Sequence, residues 1–571
     1  MRAQQLVFKK MKFIKNFQTN LGTFDVPVLL FAIASIFSIT FSKNANLMEA
    51  ILLPGTLTAI LAGSLLYFFV NQLSLKGKQI LLFILPIISL ITAVITLLSV
   101  SSVIKLGANF NVFGSFLTSS IFFVTTIPLF ISQLLRSKEI LIKVLIGACG
   151  AILVFALLVS VYLIMPGKVL SPKILPFNTS LTIAKNALSQ SPIVGIGIGN
   201  YQSTFNKFKP AEFNKTVNWS EKFSSGSNFV LTILTESGLF GLLAFFYLLI
   251  RIITQSFRLV REGKIVGWGL ARIFEVLPII TLIVIFFIFP HSNILLITFF
   301  ILLGVLSDKK TKSGLTSAVV LSLVMIFAYY KIALAEYKFT NAKSEAIKDN
   351  ARQTYNLTKE AINLNPKVDR YHIFLSKINF LFAATLATKG LPDGQGRQGN
   401  LTDEERKQIA QFVQASIDEA KAAVSNNNQK SENWEHLGKT YQSMIEFAEG
   451  SGQFAIESYK QAIALDPVNP RLRIALGDIY FLAKDYVNAI ENYKLATYAK
   501  PDLANAHYNL ALAYKANGEI EKARIEFDIT SDLLDPKSND YKIVQNEIVN
   551  LNKKSVETPV EIAPEELTTP I

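Results

Sequence analysis

The stretch PRLRIALGDIYFLAKDYVNAIENYKLATYAK, residues 470–500, decides how the C-terminal half of the chain folds. Its Leu476, Gly477, Tyr480, Ala489, Tyr493, Ala496 and Pro501 return 34 residues later as Leu510, Ala511, Tyr514, Ala523, Phe527 and Thr530, with Pro536 one residue late. Upstream, Trp434, Leu437, Gly438, Tyr441, Ala455, Tyr459, Ala462 and Pro467 carry the same pattern with five extra residues in the turn. The spacing predicts two antiparallel helices per period, with small residues where they approach and aromatics between successive periods. One such unit cannot bury its own apolar face, so consecutive units must stack.

This is the pattern of the tetratricopeptide repeat, and it implies an α-solenoid. Weaker copies precede it, one with Ala361 and Pro366, another opening near His372 and Leu375 and closing with Ala420 and Ala423. A Gly-rich loop, KGLPDGQGRQGN at 389–400, interrupts the latter. The repeat domain is expected over 336–554. The tail 555–571, with four Glu and three Pro, is expected to be disordered.

The N-terminal half has a different chemistry. Of 571 residues, 51% are hydrophobic and 17% charged, with a mean hydropathy of +0.37. The net charge of +14 is split unevenly. Residues 1–335 hold 28 Lys+Arg against 9 Asp+Glu, net +19, and residues 336–571 hold 28 against 33, net −5. The expected class is therefore all-α, a polytopic helical membrane domain followed by a soluble solenoid. The single cysteine, Cys149, excludes a disulfide framework and a Cys-based zinc site within the chain.

Apolar runs at 26–42, 50–70, 80–100, 112–134, 140–164, 228–250, 273–289, 294–306 and 315–335 suggest about nine spans in a domain of residues 26–335. The run 294–306 is short, and 273–306 could instead form one re-entrant hairpin broken at Pro290. Short cytoplasmic loops should carry the Lys and Arg. With the basic N-terminus 1–25 inside, its Lys9, Lys10, Lys12 and Lys15 lie in the cytoplasm, as do Lys76, Lys78, Arg136, Lys138, five basic residues within 251–272, and Lys309, Lys310 and Lys312. Short outer loops hold only Lys43 and Lys105. This alternation places the long loop 165–227 and everything after Ala335 outside the cytoplasm, in a multi-pass protein of the cell membrane. Without a small-residue cleavage site after the basic cluster, the first span is expected to be retained rather than removed as a signal peptide.

No HExxH, GxSxG or P-loop is present, and the four histidines, His291, His372, His436 and His507, have no metal-ligand spacing. The expectation is no metal, no cofactor and no nucleic-acid partner. Gly195-x-Gly197-x-Gly199 lacks the spacing and the flanking βαβ unit of a dinucleotide loop. His436 and His507 lie in first helices of repeats, where packing or surface roles are expected. The external loop is more informative. Its Lys168, Lys173, Lys185, Lys207, Lys209, Lys215 and Lys222 stand against Glu212 and Glu221, net +5, which suits either a solvated loop or an anion site at the membrane face. Glu236 lies eight residues after Asn228, about 12 Å along a helix. A carboxylate at that depth costs about 2.5 kcal/mol or more unless it faces protein or water, so a functional role or a packing hydrogen bond must explain it.

Two segments carry a resemblance: Ser191-Pro192-Ile193-Val194-Gly195-Ile196-Gly197-Ile198-Gly199-Asn200-Tyr201, and after the polar loop Asn228-x-x-Leu231 with Glu236-Ser237-Gly238-Leu239-Phe240-Gly241. Over about residues 111–308 the chain resembles the O-antigen ligase and polymerase superfamily. That resemblance implies a metal-free membrane glycosyltransferase acting on polyprenyl-diphosphate-linked glycans outside the cytoplasm, a family in which C-terminal tetratricopeptide repeats are a known companion. It implies Lys222, Glu236 and Asn228 as catalytic, and Lys207, Lys209, Lys215, Gly195, Gly197, Gly199 and Asn200 as substrate-binding. The family's His-Asn at the loop-to-span junction is Ser227-Asn228 here, and Lys222 stands nearest to the family's loop arginine. The five spans before the loop are fewer than in typical ligases. The implied partners are the lipid-linked glycan, an acceptor glycan, lipid or protein, and envelope proteins on the repeats. The competing expectations are a non-enzymatic, membrane-anchored repeat scaffold for envelope proteins and, third, a transporter in which Glu236 relays protons. The transporter is disfavoured because the spans show no inverted repeat and no pair of broken helices.

Overall fold

Apolar runs without a β-branched alternation become helices, and the chain contains helices and no strand among its described residues. The computed structural model describes residues 22–556 apart from 44, 54, 102, 104–109, 263–268, 308–311, 391–399 and 446–447. Most of the basic N-terminus, of the 309–312 cluster, of the 389–400 loop and of the acidic tail therefore lies outside the described residues, while Ser555 and Val556 of the tail end a helix rather than being disordered. The chain divides into two units, one of Met1–Phe208 with Glu221–Glu336, the other of Lys209–Ser220 with Tyr337–Ile571.

In the first unit the helices are α1 (Asp25–Phe41), α2 (Leu47–Leu52), α3 (Leu57–Gln72), α4 (Leu75–Val100), α5 (Phe116–Arg136), α6 (Ile140–Leu163), α7 (Phe177–Gln190), α8 (Tyr201–Phe208), α9 (Phe229–Glu262), α10 (Gly269–Ile288) and α11 (Asn293–Leu306). α12 (Lys312–Ile347) contributes its residues up to Glu336 here and the rest to the second unit. Among the described residues, α4, α5, α6, α9 and α10 are long and apolar enough to cross a membrane, a bent pair within α12 would be a sixth, and α1, α3 and α11 are shorter apolar helices. The outward faces of α4 and α6 carry exposed Phe83, Ile91, Leu141, Leu145, Phe155 and Leu158, the reverse of a water-facing surface.

The expected uninterrupted run over 50–70 is divided in two. Gly55 takes φ +78°, and the Thr56 hydroxyl donates to the carbonyls of Ala50 at 2.7 Å and Leu53 at 2.6 Å, using acceptors that a continuing helix would have paired. Close helix contacts form where a small residue meets a large one. Gly63 of α3 faces the Phe300 ring of α11, and Gly304 of α11 faces Val70 of α3. The interior is aromatic, with Phe229, Phe245, Phe286 and Phe299 in successive tilted or edge-on contacts.

In the second unit, α13 (Ala351–Leu364), α14 (Asp369–Ala387), α15 (Asp403–Asn426), α16 (Ser431–Gln442), α17 (Ser451–Leu465), α18 (Pro470–Leu482), α19 (Tyr486–Ala499), α20 (Ala504–Ala516), α21 (Ile520–Leu533) and α22 (Asn539–Val556) follow one another. The pairs α14–α15, α16–α17, α18–α19 and α20–α21 are the antiparallel hairpins expected from the 34-residue period. Ala455, Tyr459, Ala489, Tyr493, Ala523 and Phe527 are buried, as the repeat pattern requires.

The histidines of the solenoid repeat a structural device. His372 contacts Glu419 at 2.6 Å and the Pro366 carbonyl at 2.8 Å, and His507 contacts Glu526 at 2.6 Å and the Pro501 carbonyl at 2.9 Å. Burial disfavours charge on both rings, but the carboxylate and carbonyl outweigh it and raise both above the ordinary histidine value. Their stabilisation is present below about pH 6.5, the unfolded value, and is lost as pH rises through the raised folded values. His436 is the opposite case: burial, Lys377 and Lys439 push it down to about 4, so its contribution is lost as pH falls. In a fragment of residues 336–556, His372→Gln with His507→Gln is expected to flatten the decline in melting temperature as pH rises above about 6.5. Equal slopes for variant and wild type would contradict this assignment.

Candidate functional site

The junction between the 165–227 loop and α9 is built on a break in a helix. Gly238, inside α9, has φ +62° and ψ −160°, a conformation open to glycine and to little else. The break frees the carbonyls of Thr235 and Glu236 and the amides of Leu239 and Phe240 from the helical ladder. A second Gly-rich loop, residues 192–200, supplies their partners. Ile196 N donates to Thr235 O at 3.2 Å and Gly197 N to Glu236 O at 2.9 Å, while Leu239 N donates to Pro192 O at 2.9 Å and Phe240 N to Ile193 O at 3.0 Å. A side chain on Gly195 would strike the Glu236 carbonyl at 2.5 Å, and Gly195 itself takes φ +68°. The two quoted motifs are therefore the two halves of one backbone unit.

Glu236 completes it. Its Oε1 accepts from Gly199 N at 3.0 Å, the carboxylate also accepts from the Tyr201 amide, and Ser38 Oγ donates to its carbonyl at 2.5 Å. The carboxylate thus sits at the N-terminus of α8, where unpaired amides and the helix dipole favour negative charge. The other motif residues have local duties. Asn200 Oδ1 accepts from Asn46 N at 2.9 Å, and its Nδ2 donates to Ile198 O at 3.1 Å. Asn228 Oδ1 accepts from Leu231 N at 2.9 Å, capping α9, and Ser227 N donates to Ser180 Oγ at 3.1 Å. Gly197 and Gly199 take positive φ beside Ala45 and Ala50.

Glu236 also lines a half-open cavity of about 460 Å³ with Thr56, Ser224, Ser225, His291 and Asn293, floored by Val112, Phe113, Ile294 and Ile297. The sequence pattern marks no site role for His291. It lies in the turn between α10 and α11, its ring 4.7 Å from that of Phe229, and its buried Nδ1 has no hydrogen-bond partner among the described residues. Asn293 accepts from the Gly55 amide at the same place. A histidine beside a proline between two apolar runs was the available signal, but its proximity to Glu236 is tertiary.

The lysines scatter. Lys222 is exposed and is not among the residues lining the cavity. Lys207 lies over the Phe208 ring, 5.4 Å from its centroid. Lys173 pairs with Glu221. Lys209 and Lys215 belong to the second unit, where Lys215 is exposed at the end of a short 3-10 turn (Ala211–Lys215) and Lys209 is buried against Asp466 at 3.0 Å. Burial pushes the Asp466 carboxyl up, and the Lys209 ammonium opposes that shift. No group of three or more His, Cys, Asp or Glu residues able to hold a metal occurs among the described residues.

A family model described as TPR repeat matches residues 445–484 and 477–518, so the chain carries tetratricopeptide repeats in its C-terminal half. No curated protein matches the chain. Among solved structures, the crystal structure of MamA is 16% identical, covering 40% of this chain and 98% of its own, with a TM-score of 0.27. A tetratricopeptide-repeat protein of Thermus thermophilus is 15% identical, covering 38% and 99%, with a TM-score of 0.27. The first tetratricopeptide-repeat domain of Spaghetti, bound to an HSP90 peptide, is 22% identical, covering 22% and 94%, with a TM-score of 0.20.

Proposed function

We propose that this apolar-helix protein with tetratricopeptide repeats is a multi-pass membrane glycan ligase or polymerase acting outside the cytoplasm. One observation carries the reading: Glu236 and His291, far apart in sequence, line the same cavity beside Ser224, Ser225 and Asn293. An acceptor hydroxyl entering there would displace polyprenyl diphosphate at the anomeric carbon, forming the new glycosidic C–O bond as the bond to the diphosphate oxygen breaks. His291, which lines the cavity, would take the hydroxyl proton, and Glu236, held by backbone amides, would orient the acceptor. Lys222 would meet the leaving diphosphate as a point charge. The repeats would hold the acceptor, the growing glycan or an envelope protein, since stacked repeats present extended binding surfaces.

The alternative, a non-enzymatic membrane-anchored scaffold, draws on the structural duty of Glu236, whose carboxylate is already occupied in joining the Gly-rich loop to α9. Deletion of the gene separates the two. The transferase reading expects loss of a surface glycan and build-up of its lipid-linked precursor; a scaffold expects no build-up. In the restored strain, His291→Gln is expected to lower transfer about a hundredfold at unchanged protein level. Lys222→Ala should lose transfer and Lys222→Arg keep it, because guanidinium binds phosphate bidentately. Full activity in His291→Gln, Lys222→Ala and Glu236→Gln together would discard this site.

A further inference from the structure

Twelve residues of the external loop fold with the repeats. Lys209–Ser220 belongs to the second unit, although Phe208 before it and Glu221 after it belong to the first. Three of its side chains meet residues in or next to two successive inter-repeat turns, the one between α17 and α18 and the one between α19 and α20. The Lys209 ammonium meets the Asp466 carboxylate at 3.0 Å, both side chains being almost wholly buried. Asn214 Nδ2 donates to the Val468 carbonyl at 2.7 Å and to the Ala499 carbonyl at 2.9 Å. Each N–H of that amide thus takes a main-chain acceptor from a different repeat, and Ala499 is the last residue of α19, where carbonyls lack helical partners. The Trp219 ring lies 4.9 Å from the Arg471 guanidinium carbon and 5.4 Å from the Lys500 ammonium. Phe213 is 1% exposed.

We infer that the turn edge of the repeats is a binding surface for a segment of the form Lys-x4-Asn-x4-Trp, and that the chain's own residues 209–219 occupy it. The three anchors use three different chemistries at equal spacing. A buried ammonium–carboxylate pair sets the position, since a lone buried charge at either residue would be costly. The amide measures the distance between two consecutive repeats, because both its hydrogens are used. The indole, with two cations against its ring, closes the far end. The ordinary face of a repeat array binds partners along its helices; this surface uses the turns. This inference stands whether or not the protein is a transferase.

Hydrogen–deuterium exchange of the full-length protein in detergent tests it. Amides of 209–220 are expected to exchange about a hundredfold slower than in the same segment as a synthetic peptide. Asn214→Asp keeps the shape but replaces two donors with a carboxylate facing two carbonyls. It should speed exchange of 209–220 at least about tenfold while α18 and α19 keep their protection. Asp466→Asn, on the repeat side, should release the same segment, and if it also unfolds the repeats the Asn214→Asp result decides alone. Exchange of wild-type 209–220 at the free-peptide rate would overturn the inference. So would protection that Asn214→Asp leaves unchanged, since that loop would be ordered by itself.

Discussion

Gly477→Trp is expected to abolish the cooperative thermal transition of a repeat fragment spanning residues 336–556. A Cβ at Gly477 would lie 2.5 Å and 2.7 Å from two carbons of the Tyr493 ring. The ring cannot swing aside cheaply, because its hydroxyl donates to Asp478 Oδ1 at 2.7 Å and the residue is 2% exposed. Adding even a few methylenes to a close-packed interior costs about 1–3 kcal/mol, and an indole is far larger. Gly477→Ala sets two effects against each other. Helix propensity favours Ala by about 1 kcal/mol, while overpacking costs about 1–3 kcal/mol. The net expectation is a modest loss. Gly438, whose Cβ would stand 3.0 Å from the Tyr459 ring, should tolerate Ala better. Circular dichroism against temperature measures all three, and a Trp variant that melts like wild type would refute the packing described for this hairpin.

Gly238→Ala is expected to detach the Gly-rich loop from α9. The backbone there costs about 1–3 kcal/mol for a residue with a Cβ. That Cβ would also lie 2.5 Å from the Ile193 carbonyl and 2.6 Å from Gly195 N, main-chain atoms with little room to yield. Relief by straightening the helix would sacrifice the hydrogen bonds from Ile196, Gly197, Leu239 and Phe240, each worth about 1 kcal/mol net. The purified variant should lose thermal stability in detergent, and residues 192–200 should exchange hydrogen faster. Gly150→Ala is the control. It lies in α6 with nothing within 4 Å of the added Cβ and should be neutral or slightly stabilising. Equal stability of the Gly238 and Gly150 variants would remove the structural account of the motif.

The hairpins and most long apolar helices were legible because hydrophobic periodicity is a local property, with side chains three or four residues apart sharing a face. The division of the 50–70 run was not, since it turns on where Gly55 and Thr56 find partners. Pairing of the Gly195–Asn200 and Glu236–Gly241 segments came from resemblance; their hydrogen bonds give the reason they occur together.

By itself, the sequence determined that the chain is helical, that its first half is apolar and basic, and that its second half repeats every 34 residues. It also singled out Glu236, because an acid in an apolar run needs a partner wherever it lies. Only the tertiary structure decided which groups meet. Charge counting treats Lys207, Lys209, Lys215 and Lys222 alike, yet Lys209 is buried against Asp466, 257 positions later, and Lys222 is exposed. His291 joins Glu236 at one cavity across 55 positions. The physical reason is that periodicity fixes which face of a helix is apolar, whereas a site depends on long-range contacts whose partners no local pattern encodes.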